Sequence, residues 1–196
     1  MKPAAPSPST PNRKELSHER IVDAAAEIIR RSGYDGTGVA EVMKQAGLTH
    51  GGFYAHFESR TQLLAEAADR ASARSLERMR KVTERVAPDE SLRAYVDSYL
   101  SDAHVDAPGC SLAALGSETP RQADEVRKVC ARRLKETVDM IERLMPGWGE
   151  PGQHEKALAI LSCLVGSMVL ARAADDRRVS KDVRKAAKAL IERALD

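Results

Sequence analysis

The sequence predicts an all-α protein, and three features indicate this class. The chain of 196 residues is rich in alanine, leucine, arginine and glutamate, which favour helices, and only 4% of its residues are aromatic. Apolar residues recur at three- and four-residue intervals along most of the chain, and no run alternates between apolar and polar residues as a half-buried strand does. Glycine and proline cluster where the helical spacing stops. We therefore expect a small helical head followed by a larger helical body.

The first segment of the chain is predicted to be disordered. Residues 1–12 contain four of the nine prolines, together with serine, alanine and threonine, a composition that cannot bury a core. We assign residues 1–15 to this arm. Its cations, Lys2, Arg13 and Lys14, either make a loose contact with phosphate or belong to a solvated tail.

The first helix is predicted to start at Ser17, with Leu16 and Ile21 placed to pack across that cap. Isoleucine and alanine at helical spacing form its buried stripe, and Gly33 follows its last turn. We expect this helix to support the segment that comes next.

Residues 37–60, TGVAEVMKQAGLTHGGFYAHFESR, predict two short helices around a glycine turn. The first helix has an apolar stripe that ends at Ala46, and Gly47 follows it where a left-handed backbone is needed. Thr49 is predicted to cap the second helix. Phe53 and Phe57 lie one turn apart on that helix and should face the core together. The pattern is typical of a helix-turn-helix.

The run LTHGGFYAHFESR resembles the core motif of the TetR-type transcriptional repressors, and the resemblance covers residues 17–65. The family's register is matched at Gly33, Tyr34, Thr37, Ala46, Gly47, Gly51, Tyr54, His56, Phe57, Leu63 and Leu64. The resemblance implies a DNA-binding domain over residues 16–65 and an effector-binding and dimerisation domain over residues 66–196. It also implies a repressor that a small effector releases from its double-stranded DNA operator.

Candidate DNA contacts follow from residue chemistry within the motif. Hydroxyl, phenol and guanidinium groups can donate to phosphates, small residues allow close approach, and an exposed imidazole or methyl group can contact a base edge. His50 is the first choice for a base contact, and His56 is expected to pack and to bind phosphate. For each residue alone, a structural cap or a solvated side chain is the alternative. The set is Thr37, Thr49, His50, Gly51, Gly52, Tyr54, Ala55, His56 and Arg60.

A long helix is predicted to join head and body. Ser59 and Gln62 have the spacing of a capping box, and the apolar stripe continues toward Pro88, a length of about 40 Å. We place the domain boundary within this helix, near residue 65. The body helices are then predicted over residues 89–104, 110–117, 119–144 and 153–174, with a last helix capped by Ser180.

The last two predicted helices suggest a homodimer. The run over residues 157–170 is apolar nearly all round and contains Gly166, so the helix needs cover on several sides. The family resemblance implies that these two helices pair with their copies in a four-helix interface. The alternative is an ordinary core helix of a monomer. The run is too short for a membrane span, so we expect no membrane association.

The three cysteines, Cys110, Cys130 and Cys163, are far apart and odd in number, and no secretory signal is visible. This pattern favours a reducing cytoplasm over a disulfide framework, and no cysteine–histidine spacing suggests a zinc site. Cys110 follows a Pro-Gly break, as in some TetR-type repressors. It is either a thiol that senses oxidants or electrophiles, or a small apolar packing residue.

An effector pocket is predicted between the body helices, for a hydrophobic or aromatic small molecule. The alternative is that the residues assigned to it fill a dry core. They are Tyr95, Tyr99, Cys110, Leu112, Leu115, Cys130, Leu134, Cys163 and Met168.

Other function classes receive less support. Cys110, His104 and Glu118 could form a nucleophile, a base and an orienting group, but nothing in the sequence fixes their geometry and no cofactor fingerprint is present. We therefore expect a non-enzyme without a cofactor. An architectural DNA-binding protein would not need so large a body. The net charge of +2 neither supports nor excludes DNA binding.

Overall fold

A computed structural model of the chain describes residues 12–107 and 109–195, and the regular elements in this part are all helical. The all-α prediction is confirmed. The elements are α1 Arg13–Ser32, α2 Val39–Gln45, a 3-10 turn His50–Ala55, α3 Arg60–Thr83, α4 Ser91–Tyr99, α5 Asp102–Asp106, α6 Ser111–Leu115, α7 Asp124–Leu144, α8 Gln153–Ala173 and α9 Arg177–Leu195. Two further 3-10 turns cover Pro88–Glu90 and Thr119–Arg121.

Helix α1 begins earlier than predicted. The Asn12 side chain accepts a hydrogen bond from the Glu15 amide at 3.0 Å, and the Glu15 carboxylate accepts one from the Asn12 amide at 2.8 Å. This reciprocal capping box starts the helix at Arg13, so Ser17 lies inside the helix. Residues 13–15, assigned to the arm, are therefore helical, while residues 1–11 lie outside the described part of the chain.

The glycine turn after α2 is confirmed, but the second helix of the motif differs from the prediction. Gly47 has φ +70°, the left-handed conformation expected there. Residues His50–Ala55 form a tight 3-10 turn, and the Thr49 side chain makes no capping bond. Two adjacent glycines, Gly51 and Gly52, give the α-helix no side-chain support and leave the backbone free to take the tighter turn. We call His50–Ala55 the recognition segment.

The head has a continuous apolar core. Phe53 and Phe57 are both buried, with ring centroids 5.5 Å apart, so the prediction that they face inward together is confirmed. Leu115 and Val126 of the body pack into the same core. The head therefore packs directly on the body in addition to its covalent connection through α3.

The predicted cap of α3 is present in a modified form. The Ser59 hydroxyl accepts from the Gln62 amide at 3.1 Å, while the Gln62 side chain accepts from the Glu58 amide at 2.8 Å. From this cap α3 continues to Thr83, which makes it about 36 Å long. It ends before Pro88, and its first half belongs to the head core.

Three helix predictions for the body are wrong, one in its continuity and two in their first residue. The helix expected over residues 89–104 is divided, because the Ser101 hydroxyl caps α5 by accepting from the His104 amide. Thr119 and Pro120 form only a 3-10 turn, and α7 begins at Asp124. The last helix begins at Arg177, so Ser180 is a buried residue of its first turn.

The body core is formed mainly between α7, α8 and α9. Its largest fully buried side chains include Ile141, Leu164 and Met168. Burying such side chains stabilises the fold by about 1.5 to 3 kcal/mol each before conformational entropy is considered. The body is thus a helical bundle on which the head and the recognition segment rest.

Candidate nucleic-acid interface and effector cavity

The recognition segment presents a polar surface to solvent. His50, Gly51, Tyr54 and Ala55 are exposed, and 77% of Tyr54 is accessible. Tyr54 keeps its orientation through an edge contact with Phe53, whose ring centroid is 5.2 Å away. These four predicted contact residues therefore lie together on one accessible turn. Thr49, also exposed, precedes them directly.

Thr37 does not belong to that surface. Its side chain is fully buried, and its hydroxyl donates to the Gly33 carbonyl at 2.7 Å. The hydroxyl is therefore used to close the turn after α1, a local role that its position in the sequence does not reveal. The expectation that Thr37 donates to a phosphate does not fit this arrangement.

Arg60 has a structural role in addition to its predicted one. Its Nη2 donates to the carbonyls of Tyr34 and Thr37 at 2.5 and 3.2 Å, and its Nε donates to Thr37 at 3.3 Å. The guanidinium thus holds the loop between α1 and α2 against the start of α3. Its Nη1 makes none of these bonds and can still donate to a phosphate.

His56 lies at the edge of the recognition segment and is half-buried. Burial lowers the pKa of His56, and the neighbouring His18 and Lys14 lower it further. Its Nδ1 is enclosed without a hydrogen-bond partner. We therefore expect a neutral imidazole at pH 7.

Gly52 is also half-buried, and a Cβ built on it would lie 3.7 Å from Met43 Cε.

A cavity of about 350 Å³ lies in the body, between α3, α4, α5, α6 and α7. Of the predicted pocket residues, Tyr95, Tyr99, Cys110 and Leu112 line it. Arg30 of α1 also belongs to its wall, so the cavity reaches from the body to the head. Arg30, Arg78 and His104 also line it and were not predicted, because their positions follow no apolar spacing along the sequence.

The other five predicted pocket residues lie elsewhere. Leu115 and Cys130 pack in the head core, where Cys130 Sγ is 3.2 Å from the Tyr34 hydroxyl. Leu134 is on the outer face of α7 and 42% exposed. Cys163 and Met168 belong to the body core, and Cys163 Sγ contacts the Ala187 carbonyl at 3.9 Å. Helical spacing placed these side chains on plausible faces without showing which core each face joins.

Two polar atoms at the cavity wall lack partners among the described residues: the Tyr99 hydroxyl and His104 Nε2. His104 Nδ1 lies 2.8 Å from the Tyr99 carbonyl and must be its donor, so Nε2 of the neutral ring is an acceptor. Burial lowers the pKa of His104 and raises the pKa of Tyr99. Enclosed polar groups without partners are costly, and a ligand could satisfy them.

The enzyme alternative is not supported by the geometry. Cys110 and His104 both line the cavity, but the Glu118 carboxylate accepts from the Tyr34 amide at 2.9 Å. The Glu118 side chain also lies close to Gly33, because a Cβ added to Gly33 would be 2.5 Å from Glu118 Oε1. It joins head and body, and the three residues do not form one catalytic group.

Helices α8 and α9 each carry exposed large apolar side chains, and we call these positions the outer face. On α8 it includes Leu158, Val169 and Leu170, and on α9 Val179 and Leu190. Gly166 lies in the same stripe, with nothing within 4 Å of an added Cβ. By length and composition, α8 is the one helix in residues 12–107 and 109–195 that could cross a bilayer, although 39% of its apolar window is buried.

Comparisons with known proteins agree with this arrangement. Residues 21–67 match the family described as bacterial regulatory proteins, tetR family. An uncharacterised HTH-type transcriptional regulator of Mycobacterium tuberculosis is 32% identical over 169 residues, which cover 81% of this chain and 85% of that protein. A TetR-family regulator from Cytophaga hutchinsonii has a similar structure, with a TM-score of 0.80 at 18% identity over 94% of this chain and 97% of that one.

The reduced form of Escherichia coli NemR has a TM-score of 0.76 at 16% identity, over 90% of this chain and 95% of that one. At such identities the solved structures show the fold alone. The family is shown by the match over residues 21–67 together with the mycobacterial relative. The chain belongs to the TetR family of bacterial transcription regulators, which bind DNA operators and act as dimers.

Proposed function

We propose that this protein is a ligand-responsive repressor that a small effector releases from its operator. The observation that carries the proposal is the cavity in the body, because Arg30 of the DNA-binding head forms part of its wall. A molecule bound there would contact both units at once. It would favour one placement of the heads over another, and so change the affinity for DNA.

The recognition segment is the DNA-contacting surface in this proposal. His50 and Ala55 are exposed and would contact base edges, while Gly51 allows close approach to the backbone. Tyr54, Thr49 and the free Nη1 of Arg60 would donate to phosphates. His56 and the half-buried Gly52 would lie at the border of the contact, and Thr37 is left out because its hydroxyl is buried.

The dimer would form through the outer face of α8 and α9. Single exposed apolar residues are ordinary on protein surfaces, but a stripe that continues over two neighbouring helices is typical of an interface. Gly166 would let a copy of α8 approach closely. The face would thus be covered by a second copy of this chain, and α8 would be an interface helix of a cytoplasmic protein.

The effector would be small and largely apolar, in keeping with the tyrosines and aliphatic side chains of the cavity wall. The protein would act as a binding protein without catalysis, as a regulator does.

Selection of bound sequences from random DNA tests whether the protein binds a specific operator. We expect a paired half-site sequence whose binding survives physiological salt. A screen for compounds that release the protein from the selected DNA tests whether a small effector controls this binding. Weak, salt-dependent binding without a preferred site would instead indicate an architectural DNA-binding protein.

A second candidate is a redox or electrophile sensor that acts through Cys110. The observation in its favour is that Cys110 lines the cavity as well as packing in the body core, whereas Cys130 and Cys163 do not line it. A peroxide entering the cavity would oxidise the thiol to a sulfenic acid and leave as water. In that case Cys110→Ser loses release by peroxide but keeps release by the effector. If neither response changes, Cys110 is a packing residue.

A further inference from the structure

Two arginines from different helices meet at one carbonyl beside the cavity. Arg30 Nη1 donates to the Gly109 carbonyl at 3.5 Å, and Arg78 Nη2 donates to the same oxygen at 3.4 Å. Both distances are at the limit of a hydrogen bond. Arg78 Nη2 also donates to the Ser75 hydroxyl at 3.0 Å. Arg30 Nε donates to the Ala26 carbonyl at 3.1 Å. Each guanidinium carries five N–H donors, so more than half of the donors of this pair make no hydrogen bond within the described residues.

A third guanidinium lies against the same segment. Arg172 Nη2 donates to the carbonyls of His104 and Ala107 at 2.8 and 2.9 Å. An added Cβ on Gly109 would lie 1.8 Å from Arg172 Nη2, so the glycine is required for this approach. Positive groups from α1, α3 and α8 therefore lie against the carbonyls of His104, Ala107 and Gly109.

These three guanidinium groups lack an ion-pair partner in the described part of the chain. Within the described residues no carboxylate forms an ion pair with Arg30, Arg78 or Arg172, and no Asp or Glu lines the cavity. Arg133, which also lines it, is by contrast paired with Asp69 and Glu136 at 2.7 and 2.6 Å. Burial lowers the pKa of Arg30, and the charges of Arg78 and Arg74 lower it further and outweigh the opposing charge of Glu27.

The rest of the cavity wall is largely apolar, with hydroxyl groups of serine and threonine among its aliphatic and aromatic side chains. Leu76, Met79 and Val82 line it from α3, and Tyr95 and Leu112 line it from α4 and α6. A cavity of about 350 Å³ is at the small end of ligand sites. It therefore offers a compact apolar chamber with an uncompensated positive edge.

The polar atoms without partners lie at this same chamber. Tyr99 is 97% buried, and its hydroxyl can donate a hydrogen bond to a ligand. Nε2 of the neutral His104 can accept a hydrogen bond from the ligand. Arg78 is exposed, as are Ala103 and Ala107, so solvent reaches the cavity on the side of the arginines. A charged group would enter last and remain near the mouth.

We propose that the effector is a compact apolar acid whose carboxylate binds Arg78 and Arg30 while its apolar part fills the chamber. Guanidinium groups recognise carboxylates through paired, charge-assisted hydrogen bonds. A neutral ligand would leave the positive edge uncompensated, and a cation would be repelled by it. This rests on the proposed function only in taking the cavity as the effector site. Arg30 would then exchange its long bond to Gly109 for one to the ligand.

Isothermal titration calorimetry on the full chain without DNA tests the ligand class. The probes are two matched pairs, decanoate with decanol and phenylpropionate with phenylpropanol. We expect the acid of at least one pair to bind about tenfold more tightly than its alcohol. The preference should disappear in Arg78→Gln and in Arg30→Gln, while the affinity for the alcohol stays.

Arg80→Gln is the matched control, because Arg80 is an exposed arginine of the same helix outside the cavity wall. It should keep the preference for the acid. Alcohols that bind as tightly as their acids, acids that do not bind, or a preference that survives in both variants would overturn the proposal. DNA selection is a separate readout: acid binding without a selected operator would refute the repressor and leave the acid site standing.

Discussion

Neighbouring polar residues of the DNA-binding motif differ in the atoms that they leave free. The Thr37 hydroxyl donates to a carbonyl inside the fold, whereas the Tyr54 hydroxyl has no hydrogen-bond partner among the described residues and its side chain is exposed to solvent. Arg60 uses Nε and Nη2 for bonds inside the fold, while its Nη1 makes none of these bonds. Availability of a donor atom, not residue type, decides which of these side chains can contact DNA.

Substitutions in the recognition segment should separate base contacts from backbone contacts. We expect His50→Ala to relax the preference at one position of each half-site, because an exposed imidazole at this place would contact a base edge. Tyr54→Phe should weaken binding about equally on all sequences, because it removes a phosphate donor. Selection of bound sequences for each variant measures both effects. Unchanged operator binding in both variants would contradict the assignment.

Arg60 gives a prediction in which stability and DNA binding can be told apart. Arg60→Ala should lower the free energy of unfolding by roughly 1 kcal/mol, because three hydrogen bonds to the loop before α2 are lost at a partly exposed site. It should also flatten the salt dependence of DNA binding by about one unit of slope. Urea denaturation and binding titrations over a range of salt measure the two effects.

Arg60→Lys is the matched variant, since it keeps the charge but lacks the planar fork. We expect it to resemble Arg60→Ala in stability and the unchanged protein in salt dependence. Equal stability of all three proteins would show that the bonds to the Tyr34 and Thr37 carbonyls do not contribute.

At the scale of elements, α3 and α7 are joined by a charged contact in the middle of the molecule. Asp69 of α3 accepts two hydrogen bonds from Arg133 of α7, both at 2.7 Å, and Arg132 binds it as well. Burial alone would raise the pKa of Asp69, but the bonds and charges of the two arginines outweigh it and lower the pKa. The contact fixes the side of the cavity that α3 and α7 share.

This contact predicts a pH-dependent loss of stability. Because the pKa of Asp69 is lower in the folded state, its contribution is complete above the unfolded-state pKa, about 4, and is lost as pH falls through the folded-state pKa. Asp69→Asn should therefore lower the free energy of unfolding by roughly 1 to 2 kcal/mol at about pH 7. The difference from the unchanged protein should be smaller at about pH 3.

Urea denaturation at both pH values measures the difference. Asp35→Asn is the control, because Asp35 is exposed and forms no ion pair in the described part of the chain. It should have little effect at either pH. A cost of Asp69→Asn that is equal at both pH values would show that the carboxylate charge is not what stabilises the contact.

At the scale of the whole molecule, the outer face of α8 and α9 sets the expected assembly. Leu190→Asp should convert the dimer to a monomer, because it places an unpaired charge where an apolar face is covered. Affinity for the operator should fall by about a hundredfold or more, since two joined heads gain from their effective concentration. Analytical ultracentrifugation and DNA titration measure these outcomes.

Leu134→Asp is the matched control, because Leu134 is 42% exposed on α7 and Leu190 is 53% exposed on α9. We expect it to remain a dimer. Leu164 would be a misleading position to test, because it is fully buried in the core of the single chain and a charge there would unfold it. An unchanged protein that sediments as a monomer at micromolar concentration would refute the proposed interface.

The sequence by itself determined the helical class, the helix-turn-helix and its family. Apolar spacing, Gly47 and the paired phenylalanines are local signals, and a turn or a helix face depends on few residues. The first residue of a helix is harder to predict, because several nearby residues can each act as its N-cap. Asn12 with Glu15 begins α1 in place of Ser17, and two adjacent glycines tighten the recognition segment.

Only the tertiary structure decided which faces meet. Cys130 and Leu115 follow the same helical spacing as true cavity residues, yet they join the head core, because α6 packs against α1 and Cys130 of α7 lies against Tyr34. Arg30 and Arg78 are far apart in sequence and share one carbonyl, and no local pattern encodes that contact. Helical periodicity fixes the side of a helix on which a residue lies, but long-range packing fixes what that side touches.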